Sequence, residues 1–536
     1  MASTVPPEMP SEATIESLRG ELEGNVFRGI EGFCNKYFEG KSWTATATKT
    51  TSTSQISRKL GAELLNVTDF KGLLNWVGAV QSQLLNIDAA RLAFDMKPIT
   101  GPDLPFQASI YLSRVCKSEG SSDVPRSAGN TCVFSECHSN DVAVMAEDSL
   151  EFLHFCERCY SSEKINLSRT PDLLIKILAS YSQMSEEELG FNTFIQGLEL
   201  GTDPYVTFAQ GEKLYLSKMI ATPSQIVGPG TTCYAASTTT KGQPSTVVKF
   251  SWRDDNDESQ GEVEMLKRAH KRKVQGVVQL VGNQDLTTIT SLRHGLKFPQ
   301  PFMNRTFSCV ATTPLGRLLQ TYSSIPELLL ILCDLVKAIK SLHLDGRMLH
   351  RDIAIKNTII PMQQSADSLK GVLIDFDQAL DLDSVGSDQS MIGSDGYMAI
   401  GILPGKRHTY RHDLESLFYM FLWLAIVNDR VHDDIYDILE GMPKESRLRA
   451  WCSMDFYSVR QAKMADMGPE GFPRILDEFS ADFASLRGLA EDLHALLFPL
   501  RDGKIFIGTE TSEAAIEKLY SGMADAFKQS ALKFQK

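Results

Sequence analysis

A chain of 536 residues exceeds what one hydrophobic core usually spans, so two or more domains are expected. With 43% hydrophobic and 23% charged residues it has the composition of a folded globular protein, which excludes disorder throughout. A formal net charge of -13 argues against a duplex nucleic acid partner, whose phosphates call for many cations.

Residues 1–14 are rich in Pro, Ser and Thr and read as a flexible tail. They lack a cationic segment followed by an apolar run, so a cytoplasmic or nuclear location is expected, with the ten cysteines reduced. Region 15–190 is expected to be mainly helical, with no function assigned. Apolar residues recur at helical spacing from Ile15 to Phe38 and from Ala62 to Phe94, and Pro171 to Ser182 reads as a short helix with proline in its first turn. The polar runs Thr44 to Ser54 and Ser118 to Asn130 read as loops, because they bury too little apolar surface to offset ordering entropy. Cys132, Cys137, His138, Cys156 and Cys159 have spacings zinc could use; against this, buried free thiols are common and C-x2-C often arises by chance.

From residue 191 the pattern changes to short β-like runs bounded by glycine and proline: Tyr205 to Phe208, Lys213 to Tyr215, Gln225 to Val227 and Thr246 to Phe250. Past Pro326 it becomes mainly helical. The most apolar stretch, Leu417 to Val427, is too short to cross a hydrocarbon core of about 30 Å at about 1.5 Å per residue, so it reads as a buried helix and no membrane partner is expected. The order of elements predicts an α+β chain with a β-rich segment over 191–304 and a helical one over 305–536.

Within that frame, His350-Arg351-Asp352-Ile353-Ala354-Ile355-Lys356-Asn357 fits the H-R-D-x-x-x-x-N catalytic loop of protein kinases. Phosphoryl transfer needs a carboxylate at the incoming hydroxyl and an oxygen on the metal, and this spacing supplies both as Asp352 and Asn357. Lys356 can supply the cation that steadies the transferring group, or simply face solvent. Val372 to Asp377 is an apolar strand ending in Asp375, a candidate Mg2+ ligand, with Asp377 where glycine is usual. Upstream, Gly228 and Gly230 stand in a glycine loop suited to phosphates, with Cys233 in place of a third glycine. The strand Val247-Val248-Lys249 ends in a lysine expected on the α- and β-phosphates of ATP, paired with Glu262 in preference to Glu264.

The cation-rich run Lys267 to Lys273 is either a solvated helix end or a patch for localisation or an acidic partner. Ser384, Ser387, Ser390 and Ser394 are open to phosphorylation in a segment that fits an activation loop, where Arg351 would meet the phosphate. Asp381, Asp383 and Asp388 already supply anions there, so ordering without phosphorylation is expected. Ile400 and Gly401 stand where Ala-Pro-Glu motifs carry Pro and Glu, so either the substrate platform is less stable or a compensating contact is made. Asp413, in His408 to Ser416, is expected to hold the catalytic-loop backbone.

These residues, with Val248 to Arg253, Leu373 to Asp377, His408 to Tyr419 and Leu189 to Asn192, resemble the fungal-type protein kinase family over about residues 140–530. The resemblance implies a two-lobed kinase fold and ATP- and Mg2+-dependent transfer to a Ser/Thr hydroxyl of a protein. The runners-up are a pseudokinase scaffold and a small-molecule kinase of the same fold. The sequence names no substrate, pathway or oligomeric state.

Overall fold

The computed structural model describes residues 26–27, 29–52, 55–64, 70–84, 92–98, 107–114, 141–146, 149–156, 158–162, 165–166, 171–189, 191–198, 202–222, 228–255, 261–299, 302–363, 369–384, 391–427 and 441–534. The chain is α+β and divides into two units. The first comprises Met1–Pro244, Val248–Asp255 and Gln284–Val310; the second comprises Ser245–Val247, Asn256–Asn283 and Ala311–Lys536.

In the first unit, helices α1 (Phe33–Phe38), α2 (Thr44–Ser52), α3 (Gln55–Leu64), α4 (Phe70–Ala79) and α5 (Pro171–Gln183) accompany a seven-stranded sheet. Its strands are β1 (Val26–Phe27), β2 (Leu92–Pro98), β3 (Gln107–Arg114), β4 (Asp141–Ala146), β5 (Ser149–Cys156), β6 (Arg158–Ser161) and β7 (Ile165–Asn166). They run β1-β6-β5-β4-β3-β2, with β7 also on β5. The expectation of a mainly helical 15–190 is therefore corrected: the region is mixed. Short alternations such as Leu150-Glu151-Phe152 are strand-like but too brief to stand out between loops.

The polar run at Thr44 is likewise helix, not loop. Tertiary contact supplies what composition lacks: α2 packs on α5, Ala47 is buried, and the indole of Trp43 just before it donates to Glu188 at 3.0 Å. The expectations over Ser118–Asn130, Gln225–Val227 and Cys132, Cys137 and His138 lie outside the described residues. Cys156 ends β5 and Cys159 lies on β6, where Cys159 pairs in register with Phe155.

A six-stranded sheet follows, ordered β12-β13-β11-β10-β9-β8, from β8 (Tyr205–Thr207), β9 (Lys213–Ala221), β10 (Thr232–Ser237), β11 (Thr246–Asp254), β12 (Gln279–Thr288) and β13 (Arg305–Thr313). Between β11 and β12 lies helix α6 (Gly261–Lys271).

The second unit is built on two buried helices, α7 (Ile325–Leu344) and α8 (Tyr410–Ile426). Ser324 caps α7 by accepting from the Glu327 amide, and Pro326 fits its first turn, where an N–H would lack a helical partner. All seventeen residues of α8 are buried; from Leu417 onward its sequence is apolar on every face, while Arg411, His412, Asp413 and Glu415 nearer its start are buried with polar partners. No helix among the described residues is long and apolar enough to cross a membrane. Four short strands position the loops that matter: β14 (Met348–Leu349) pairs antiparallel with β17 (Leu380–Asp381), and β15 (Thr358–Pro361) with β16 (Val372–Leu373). Helices α9 (Phe456–Asp466), α10 (Arg487–Leu497) and α11 (Glu513–Lys533) complete the packing.

Candidate active site

The loop 350–357 leaves β14 and enters β15, so both ends are fixed by strand pairing. Its start is held by one carboxylate. Asp413, in the first turn of α8, accepts the His350 amide on Oδ2 and the Arg351 amide on Oδ1, both at 3.0 Å, as the sequence predicted. Burial alone would raise the Asp413 pKa, but His408, at 2.9 Å, and the contacts with His350 hold it below the usual range. The His350 ring is buried, its Nε2 lies 3.0 Å from the Ile374 carbonyl, and its edge meets the Phe376 ring, joining this loop to the one after β16.

Two non-glycine residues adopt left-handed backbone here: Arg351 at φ 68° and Asp375 at φ 64°. Such conformations persist where surrounding contacts over-determine them, often beside functional groups.

Asp352 is where the contacts converge. Its Oδ2 accepts from Asn357 Nδ2 at 2.8 Å and lies 4.0 Å from Lys356 Nζ, while its Oδ1 accepts from the Ser394 hydroxyl at 2.6 Å. Asn357 Nδ2 also donates to the Asp352 carbonyl at 2.9 Å, so the amide nitrogen is committed and the amide oxygen remains the acceptor. The Ser394 contact was missed by sequence reasoning, which counted Ser394 among phosphorylation sites; the Gly393-Ser394 step was the available signal.

Between β16 and Asp375, the Ile374 amide donates to the Asn357 carbonyl at 3.0 Å, which places Asp375 beside the end of the catalytic loop. Carboxylate oxygens of Asp375, Asp377 and Glu262 lie within 4.8 Å of one another. Glu262 is buried in the first turn of α6, whereas Glu264 is ion-paired with Arg268 at 3.0 Å. Hard oxygen donors of this kind suit Mg2+. The donor chemistry of Asp375 with the Asn357 amide oxygen fits that ion.

In the first unit, Gly230 takes φ 57°, a conformation glycine adopts without strain. The Gly228 carbonyl accepts from Arg305 at 3.0 Å and the Pro229 carbonyl from the Trp252 amide at 2.8 Å, so the glycine turn is tied to β11 and β13. Lys249 lies on β11. Cys233 is a partly buried cysteine outside any disulfide on β10, beside a register shift against β9.

Two cations of the α6 end, Arg268 and Arg272, are engaged with acids, while Lys267, Lys271 and Lys273 are exposed. Arg268 donates to Asp381 Oδ2 at 2.5 Å, Arg272 reaches Asp381 Oδ1 at 3.0 Å and Asp383 at 3.2 Å, and Arg347 meets Asp383 at 3.3 Å. Burial would raise the Asp381 pKa, but Arg272, the Asp383 amide and Arg268 together hold its carboxyl low. The Arg351 guanidinium donates from Nε to the Gln378 carbonyl at 2.6 Å. Ser384 donates to the Asp381 carbonyl at 2.6 Å; Ser387, Asp388 and Ser390 lie outside the described residues.

The compensating contact at Gly401 is also visible. Glu415, wholly buried on α8, accepts the Ile400 amide and the Tyr419 hydroxyl, each at 2.7 Å, and pairs with Arg411, whose Nη2 donates to the Leu497 carbonyl at 2.7 Å. Burial would raise the Glu415 pKa, and Arg411 leads the contacts that lower it. A Cβ at Gly401 would stand 2.4 Å from His412 Nε2, so no side chain fits there.

A family model described as fungal protein kinase matches residues 143–425. No curated protein matches the chain.

Proposed function

The chain belongs to the fungal protein kinase family, and on that premise we propose that it transfers the γ-phosphoryl group of ATP, with Mg2+, to a Ser or Thr hydroxyl of a protein. The observation that carries the reading is Asp352: one carboxylate oxygen is set by Asn357 and the other already accepts a hydroxyl, that of Ser394. A carboxylate so placed can take the proton of an acceptor hydroxyl as the new P–O bond forms.

In this reading Lys356, 4.0 Å from that carboxylate, faces the transferring group and offsets its charge. Asn357 and Asp375 hold the metal, which when bound supplies charge neutralisation at the phosphates. Gly228 and Gly230 present backbone N–H groups to the phosphates, and Lys249 meets them as a cation paired with Glu262. Arg351 acts as a positioning residue, its guanidinium tying the catalytic loop to the segment after Asp375. A two-lobed arrangement, with a β-rich 191–304 and a helical 305–536, is part of the same proposal, and the 15–190 region would dock or regulate.

Asp377 favours the alternative of a pseudokinase scaffold, since a third carboxylate stands where glycine normally gives the metal loop its freedom. Labelled ATP transfer onto a Ser/Thr peptide library, compared between wild type and Asp352→Asn, separates the two. Loss of about 100-fold or more is expected for the variant with Mg-ATP binding retained. Equal transfer by both proteins sinks the assignment, and binding without transfer by wild type favours the scaffold.

A further inference from the structure

Lys463 is the outlying charge of the second unit. It lies on α9 at 0% exposure, where an apolar side chain would be the ordinary choice, since burying an ammonium is costly. Its Nζ donates to the Gly396 carbonyl at 2.8 Å and the Met398 carbonyl at 2.6 Å. It also sits over the faces of Tyr419, 4.1 Å from the centroid, and Trp451, 4.9 Å. Burial pushes its pKa down to about 7, with Glu415 and the Cys452 thiol acting the other way.

The two carbonyls belong to a strip, residues 394–401, that touches the catalytic loop at one end and α8 at the other. Ser394 donates to Asp352, and a Cβ at the neighbouring Gly393 would meet Met398 Cγ at 2.7 Å and the Arg351 carbonyl at 3.5 Å. At the far end the Ile400 amide is on Glu415, whose other oxygen holds Arg411 and whose Oε1 also takes the hydroxyl of Tyr419, the ring beneath Lys463. Phe456 and Val459, from the first turns of α9, pack with Met398 and Leu403 of the same stretch. The ends of the strip are thus fixed by other groups, and the backbone carbonyls of its middle are held by Lys463 where Phe456 and Val459 pack on the Met398 side chain.

The strip borders the place where an acceptor hydroxyl would meet Asp352, since Ser394 already donates to that carboxylate. We propose that Lys463 is a positioning residue for the acceptor polypeptide: through the Gly396 and Met398 carbonyls it sets the strip at the height at which an acceptor hydroxyl reaches Asp352. The proposal rests on the kinase reading above. It assigns to a residue far from the sequence motifs the work usually sought in the activation segment itself.

The test uses the full chain carrying Lys463→Met, which keeps the length and loses the donors, and Lys463→Gln, which keeps two donors without the charge. Four quantities are read: Mg-ATP affinity, kcat and KM for the best library peptide, and hydrogen exchange over 393–403. For the methionine variant we expect unchanged Mg-ATP affinity, a peptide KM raised about tenfold, the worth of lost charge-assisted hydrogen bonds, and faster exchange in the strip. The glutamine variant should recover part of the KM. Unchanged peptide KM and unchanged exchange in a folded methionine variant overturn the proposal, as does failure of both variants to fold, which would make Lys463 a group of the general core. If wild type transfers no phosphate, the kinase reading fails by itself, and the exchange of the strip still decides whether Lys463 holds it.

Discussion

The Ser394 hydroxyl donates to Asp352 at 2.6 Å, so the group proposed to receive a substrate proton is already oriented by a hydroxyl of the chain itself. Losing that donor frees the carboxylate to rotate. Ser394→Ala is expected to lower kcat/KM roughly tenfold, with Ser394→Thr close to wild type. Ser394→Asp, which sets an anion against Asp352, should abolish transfer; steady-state kinetics on the library peptide check all three.

On the proposed reading, Asp381, paired with Arg268 and Arg272 at the end of α6, takes the place of an activating phosphate. Because it is buried while both arginines keep partial exposure, Asp381→Asn is expected to cost roughly 2 kcal/mol, leaving Arg268 and Arg272 facing a neutral amide. Activity should fall with the loss, while phosphatase treatment of wild type leaves it unchanged. Denaturant unfolding and a transfer assay before and after phosphatase make the comparison, and a large drop after phosphatase would contradict the role given to Asp381.

Gly401 is dictated by His412, not by the loss of a motif. Since a Cβ there would stand 2.4 Å from Nε2 of a buried ring, Gly401→Ala should destabilise by about 1–3 kcal/mol, and Gly401→Glu, which restores the usual motif residue, should do worse. Thermal unfolding of the two variants is the measurement.

His412 also sets an acid limit. Burial, with His408 beside it, pushes its pKa down from 6.5 to about 4. As pH falls, the unfolded chain takes up the proton first, so the stability tied to neutral His412 is complete above 6.5 and is lost between 6.5 and 4, on the order of 3 kcal/mol in all. His343 and His494, held low mainly by burial, act in the same direction. Urea midpoints over that window should fall with pH, and should fall less in a folded His412→Gln protein.

The sequence was most legible where chemistry fixes spacing. Asp352, Asn357 and Asp375 stand on loops bounded by short strands, and Asp413 grips the loop backbone as expected, because a carboxylate serving two adjacent amides leaves little positional freedom. It was least legible where a partner lies far along the chain. Lys463 reads as an ordinary helix lysine until Gly396 and Met398, more than sixty residues earlier, are seen to fold onto it. Arg268 and Arg272 likewise read as a solvated helix end until Asp381, over a hundred residues away, meets them. The helix at Thr44 and the seven-stranded sheet were hidden for the same reason, since their order comes from packing that short polar or alternating segments do not announce.

Helix α8 presents no face to water along any of its seventeen residues. Its amides can therefore meet solvent deuterons only when the surrounding unit comes apart, which makes them an internal clock for global opening. Any variant whose strip at 394–401 exchanges faster while α8 keeps wild-type timing has loosened locally, and one in which both quicken together has lost its foundation.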